Sequence, residues 1–144
     1  MKIDETDLKI IKIFCKNGRT NNNDIAAQLN ISEGTVRNRV NKLLKSDLLI
    51  IKGYTNPNKI IDKQIIFLGI KIATSKELDK SAKEVSKLAN VTSVSIITGR
   101  YDLIVELFIE PHNLINFLSN ELTKVDSISS TESFVTLKSY NKWV

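Results

Sequence analysis

In the first third of the chain apolar residues recur every three or four positions, whereas from residue 65 onward strand-length apolar runs alternate with helical spacing. Ile3-Asp4-Glu5-Thr6-Asp7-Leu8 carries a helix start signal: Asp4 caps, Asp7 is the acid three residues on, and Ile3 can staple against Leu8. Leu8, Ile11 and Cys15 make a stripe with Ile10 and Phe14 beside it, which predicts a helix from about Glu5 to Lys16 that Asn17-Gly18 stops. Ile25, Ala26 and Leu29 repeat the spacing after Asn22 or Asn23 as a cap, and Asn30 can take the left-handed conformation that ends a helix without Gly. Ser32 then caps a further helix through Lys45, whose Val36, Val40 and Leu43 fall on one narrow stripe. Ala26 and Ala27 are small enough for close approach, and the connection permits only a tight turn, so the pair is a helix-turn-helix unit. Leu48-Leu49-Ile50-Ile51 is a buried strand candidate leading into Gly53-Tyr54, the wing of a winged helix, and Asn56-Pro57-Asn58 closes the unit.

The second half keeps a regular order. Residues 65–73 predict a strand, and Lys76 to Ala89 a helix with Leu78, Ala82, Val85, Leu88 and Ala89 inward. Strands over 91–98 and 102–109 are joined by a Gly99-Arg100-Tyr101 hairpin turn. Pro111 opens a helix with Leu114, Ile115, Leu118 and Leu122 at helical spacing, and 128–137 is a last strand. This β-α-β-β-α-β order predicts an α+β chain: a winged helix-turn-helix followed by a ferredoxin-like domain of four antiparallel strands with both helices on one face. Ile96, Ile104 and Phe108 alternate with apolar residues rather than charges, so the uncovered face calls for a second copy and a homodimer. The expected organisation is a winged helix-turn-helix domain over 1–54, a linker over 55–64, a ferredoxin-like domain over 65–138 and a tail over 139–144.

Charge distribution gives the first half a partner. Residues 1–64 hold 12 Lys or Arg against 7 acids, whereas residues 65–144 hold 9 of each, so the whole excess of +5 lies on the helix-turn-helix half. No acid occurs from Gly34 to Ser46. A basic second helix on a small rigid unit suits double-stranded DNA, with Arg and Asn matched to guanine and adenine edges. The candidate DNA-binding residues are Ser32, Thr35, Arg37, Asn38, Arg39, Asn41, Lys42 and Lys45. Arg37 and Asn38 are the candidates for base edges and Lys42 and Lys45 for phosphate, while Arg39 lies nearer the apolar stripe, where an internal salt bridge is the plainer reading. One Cys excludes an internal disulfide, and Cys15 reads as a small buried hydrophobe. A charged N-terminus and the absence of a membrane-length apolar run predict a cytoplasmic protein without membrane association. With one His and one Cys no metal or haem cluster can be assembled, so neither cofactor nor metal is expected, and His112 reads as a surface residue.

Taken together these motifs resemble the Lrp/AsnC, or feast/famine, family of transcriptional regulators. The matching residues are Ile3-Asp4, Asp7, Ile10, Asn17-Gly18-Arg19, Asp24-Ile25-Ala26, Ile31-Ser32, Thr35-Val36, Arg39-Val40, Leu43 and Gly53-Tyr54. In the second half they are Val91, Val94, Gly99, Tyr101-Asp102, Ile128, Thr131 and Ser133. Three departures stand out: Asp47 where the family usually has Gly, Asp126-Ser127 in place of Pro-Gly, and Ser133 where a second Thr is common. The resemblance implies dimers that often assemble into octamers or open helical arrays. It also implies amino acids bound between dimers near the Gly99–Asp102 turn and the Thr131–Ser133 strand.

Side-chain chemistry agrees with that implication. Gly99 lets backbone amides approach a ligand, Asp102 can accept from an α-ammonium, and Arg100 can hold a carboxylate, with Tyr101 between them and hydroxyls at Thr131 and Ser133. Each has a plainer reading as turn residue, turn cap or surface charge. Three rivals bear on function. Siroheme decarboxylases resemble the same architecture, but the single His argues against an enzyme. A chromatin-like DNA-organising protein would share helix and charge, and competition by unrelated duplex separates it from a specific regulator. An RNA reader would need an exposed aromatic pair on a charged sheet, which this neutral half lacks.

Overall fold

A computed structural model describes Lys2 to Val144, and the chain divides into two units after Gly53. The first contains α1 (Glu5–Lys16), α2 (Asn22–Leu29) and α3 (Glu33–Lys45). Its core gathers Ile10, Phe14, Ile25, Val36, Val40, Leu43 and Leu49. Helix α1 is rotated from the expected stripe: Asp7, Ile10 and Phe14 are its buried residues, while Leu8 and Cys15 are exposed, so Cys15 is not the buried hydrophobe that its place in the stripe predicts. The cause is Asp7, whose carboxylate has to reach α3 and brings its own side of the helix inward. Asn21, rather than Asn22 or Asn23, caps α2, accepting from the Asp24 N–H at 2.8 Å, and Asn30 ends it at φ 55°.

The wing strand expected at Leu48–Ile51 does not form; residues 50–56 carry no regular structure, and only Leu49 of the four apolar residues is buried. A strand without a ladder partner gains nothing from extension, and no second strand lies in this unit to pair with it.

The second unit, Tyr54–Val144, is built on a four-stranded antiparallel sheet in the order β2-β3-β1-β4. Its strands are β1 (Gln64–Ile72), β2 (Val91–Ile96), β3 (Leu103–Ile109) and β4 (Ile128–Val135). One face packs Ile66, Leu68, Ile70, Leu103, Val105 and Leu107 against Val85, Phe117 and Leu122 of the helical layer, as a ferredoxin-like sheet should. The helices are shorter than expected. Helix α4 covers Leu78–Val85 behind a 3₁₀ turn, which leaves Ala89 outside and exposed. The second helical segment is a composite: a 3₁₀ turn at Pro111–Asn113, α5 (Leu114–Asn116), a π-turn at Phe117–Glu121 and a closing 3₁₀ turn at Leu122–Lys124. The widened turn puts Phe117 in the core and Ile115 in solvent, against the simple period of 3.6.

Register assigns the opposite face. Ile65 stands opposite Phe108, Phe67 opposite Glu106 and Phe134, and Gly69 opposite Ile104 and Glu132, so these residues share it. Ile96 pairs with Leu103 and so belongs to the helix-covered side, not to the open face; Ser93 and Ser95 take its place there. This face is also partly covered by the chain itself, since Pro57 is buried and Lys142 reaches the buried Glu106 at 2.7 Å. Among the described residues no helix is long and apolar enough to cross a membrane.

Gly69 fixes where Tyr101 lies, because a Cβ at position 69 would sit 2.7 Å from the Tyr101 ring. Gly69→Ala therefore forces the ring aside, and chemical denaturation should show a loss of about 1–3 kcal/mol, the usual cost of overpacking. An unchanged unfolding midpoint would show that the ring is not seated there.

Candidate DNA interface and effector turn

Helix α3 is held by its own cap and by α1. The Ser32 hydroxyl accepts from the Thr35 N–H at 3.2 Å, and the two hydroxyls lie 2.8 Å apart, so both are engaged in starting the helix. At the start of α1, Asp4 accepts from the Asp7 N–H at 2.9 Å and Asp7 from the Asp4 N–H at 3.2 Å, a reciprocal capping box built from two carboxylates. Arg39 Nη1 donates to both acids, at 2.7 Å to Asp4 and 2.8 Å to Asp7, and Asp7 is buried. Hydrogen bonds to Asp7 and Asp4 push the guanidinium pKa further up, and the Asp7 N–H together with Arg39 holds the Asp4 carboxyl below its ordinary value. Arg39 thus makes the internal salt bridge of its plainer reading.

The remaining candidates face outward. Arg37, Asn38, Asn41, Lys42 and Lys45 are all exposed, and Glu33 stands 3.8 Å from Arg37, an exposed pair worth little. A groove of about 390 Å³ runs beside the helix, lined by Lys2, Thr35, Asn38, Lys42 and the Asp4–Asp7–Arg39 cluster. Gly34, absent from the sequence-based set, lies on this outer side with open space where a Cβ would be, so a polyanion can come close to the helix start.

The turn in the second unit is tied into the sheet. Gly99 has φ 128°, which favours glycine. The Asp102 N–H donates to the Ile70 carbonyl at 2.9 Å, and the Asp102 carboxylate accepts from the Ile72 N–H at 2.8 Å, latching the hairpin to β1. Arg100 lies 3.6 Å from Glu132, with its guanidinium carbon 5.5 Å from the Tyr101 ring centroid. Tyr101 meets Phe134 edge-on at 6.2 Å, and its buried hydroxyl has no hydrogen-bond partner among the described residues. Thr131 and Ser133 pair with Ile70 and Leu68, which puts them on the helix-covered side, whereas Tyr101 lies over Gly69 on the other. One chain therefore does not bring the two groups of effector candidates together on one face.

Two family profiles match this chain: winged helix-turn-helix DNA-binding over residues 3–50, and the Lrp/AsnC ligand binding domain over residues 65–142. The HTH-type transcriptional regulator LysM of Sulfurisphaera tokodaii is 30% identical over 136 residues, covering 94% of this chain and 96% of its own. The chain belongs to the Lrp/AsnC family. As an Lrp/AsnC member it is a transcriptional regulator with a DNA-binding and a ligand-binding domain, and the family is one of regulators rather than enzymes. In fold it is similar to the crystal structure of PH0061, at 23% identity and a TM-score of 0.83 over 100% of this chain and 99% of that one. It is also similar to the NMB0573/L-Met complex from Neisseria meningitidis, at 21% identity and 0.74 over 98% and 94%.

Two of the departures from the Lrp/AsnC pattern have physical explanations. Asp47 adopts φ 56°, and the Leu48 N–H returns to the Leu43 carbonyl at 3.2 Å, so Asp47 occupies the left-handed position at the end of α3 that glycine normally fills. Ser127 is buried, and its hydroxyl lies 2.5 Å from that of Ser81 on α4, a hydrogen bond that the expected Gly could not make.

The Asp4 shift gives stability a pH dependence of known sign. A carboxyl depressed in the folded state stabilises fully above the ordinary aspartate pKa of about 3.9 and loses that contribution as pH falls through the folded value. Thermal melts should therefore drop below about pH 4 in wild type and drop less in Asp4→Asn. Identical acid profiles would remove Asp4 from the stabilising cluster.

Proposed function

We propose that the protein is a sequence-specific DNA-binding transcriptional regulator acting as a homodimer or larger assembly, whose DNA affinity responds to an amino acid. The observation that carries the DNA reading is the outer face of α3, where Arg37, Asn38, Asn41, Lys42 and Lys45 stand exposed on a helix anchored from behind by Arg39. Arg37 and Asn38, near the helix start, take base edges; Lys42 and Lys45 take phosphate. Such a reader acts on duplex DNA in the cytoplasm.

Assembly is supported by what the second unit leaves exposed. Phe134 is 44% exposed and meets the Tyr101 ring edge-on, apolar surface that a second copy would cover. The effector reading rests on the division of its candidates: Gly99, Arg100, Tyr101 and Asp102 at one hairpin, Thr131 and Ser133 on the other side of the sheet. A site using both draws them from different subunits, and a ligand there biases assembly by its difference in affinity between assembly states. The neighbouring Neisseria meningitidis structure holds L-Met, which makes a free amino acid the first class to try. The latch from Ile72 to Asp102 leaves Asp102 only part of its acceptor capacity for an α-ammonium.

Arg37→Ala should lower affinity by about 1–3 kcal/mol and relax preference at one position per half-site, whereas Lys45→Ala should weaken all duplexes alike. Binding to a matched and a mismatched duplex separates the two; uniform losses in both variants would contradict the assignment. Calorimetry with the twenty amino acids should find one that binds wild type and binds Thr131→Val at least about tenfold more weakly, a loss consistent with removing one hydrogen bond to the ligand. No binding to either protein would leave the second unit as an assembly module alone.

A further inference from the structure

The tail and the linker of this chain are fastened to each other. The Thr55 N–H donates to the Val144 carbonyl at 2.7 Å, the Val144 N–H donates back to Thr55 at 3.1 Å, and the Thr55 hydroxyl adds a bond to the same Val144 oxygen at 3.1 Å. A second reciprocal pair follows: the Asn58 amide donates to the Ser139 carbonyl at 2.7 Å, and the Ser139 N–H donates to the Asn58 side-chain oxygen at 3.1 Å. The tail is itself anchored, because Lys142 Nζ meets Glu106 at 2.7 Å on the open sheet face. Glu106 is 8% exposed there and takes a second hydrogen bond, from Thr92, at 2.7 Å. Removing Lys142 would leave a buried carboxylate without its cation, so the contact holds the tail down firmly. Pro57, between the two fastened points, is buried.

This fastening shortens the tether to the DNA reader. Leu49 is the last core residue of the first unit, so with Thr55 fixed the tether is no longer than residues 50–54, and five extended residues span at most about 17 Å. Released as far as the start of β1 at Gln64, residues 50–63 would span about 48 Å. The difference, about 30 Å per reader, approaches one turn of the double helix, about 34 Å. We propose that residues 139–144 form a clasp that holds the linker short, and that Thr55, Asn58 and Lys142 thereby determine which half-site separation a dimer accepts. This rests on the dimeric, sequence-specific reading above. The clasp touches no DNA; it acts on spacing by setting how far each reader can travel, and a longer tether lowers effective concentration at the second half-site while widening reach.

The test uses the full chain and a duplex carrying two half-sites selected from random sequence, the same duplex with ten base pairs inserted between them, and a duplex with one half-site. Thr55→Pro/Asn58→Ala removes the linker's donors while leaving the tail and its ion pair in place. A second protein, ending at Lys138 and carrying Glu106→Gln, removes the tail without burying a bare charge. The insertion should weaken wild type by at least about tenfold and either variant by less than about threefold, with single half-site affinity unchanged. Trypsin should cut after Lys59 slowly in wild type and rapidly in both variants. Equal insertion penalties in all three proteins, or equally fast cleavage at Lys59, would overturn the clasp. No preference for the selected duplex over unrelated DNA would instead contradict the sequence-specific reading, and the spacing role with it.

Discussion

Everything the DNA-binding unit presents outward depends on one inward contact, the Arg39 guanidinium gripped by the two carboxylates that cap α1. The capping box would be satisfied without it, since each aspartate already accepts an N–H from the other's backbone. Adding Arg39 makes the same pair of acids serve two helices. It fixes the rotation of α1, because Asp7 must face inward to meet it. It also fixes the rotation of α3, because one cation of the basic helix points back and the others point out. The apolar stripe of Val36, Val40 and Leu43 is narrow, and a narrow stripe alone leaves rotation loosely specified. A hydrogen-bonded ion pair whose Asp7 carboxylate is buried is a candidate device for that specificity, and leaving Asp7 without its cation would be costly.

The second unit uses a related economy around its hairpin. Asp102 joins the turn to β1 twice, through its backbone N–H and its carboxylate, and Gly69 leaves the space over which Tyr101 lies. The turn is therefore positioned by the sheet rather than by its own loop. What remains open is specific: an exposed Phe134 and an Arg100 that only Glu132, at 3.6 Å, and the Tyr101 ring hold. These are the groups a second subunit or a ligand can engage without disturbing the fold. Under the proposed reading, a ligand that engaged them would bias assembly and, reciprocally, DNA affinity.

Legibility in the sequence followed the range of the interactions. Local signals were read well: Asp4 and Ser32 as caps, Asn30 as a left-handed stop, α1 and the buried stripe of α3, and the strand order of the second half. Interactions between distant residues were not. The stripe of Leu8, Ile11 and Cys15 is as regular as the true one, and only the contact between Asp7 and Arg39, 32 residues apart, decides between them. Ile96 was set on the wrong face because the hairpin register depends on where the turn closes. The strand at Leu48–Ile51 had the composition of a strand but no partner, and partners are not written locally. For the site, the outward residues of α3 followed from helical geometry, whereas Gly34 carried no signal beyond its lack of a side chain. The tail's role was illegible, since its contacts reach residues more than 80 positions away.

The central claim is that Arg39 belongs to the fold and Arg37 to the DNA, and guanidinium NMR of the isotopically labelled full chain tests it most directly. In the free protein Arg39 should already show slowly exchanging guanidinium protons, unchanged when a selected duplex is added, while Arg37 should move from fast to slow exchange with large shifts on binding. Fast exchange at Arg39 in the free protein, or its transfer from Asp4 and Asp7 to DNA on binding, would contradict the account.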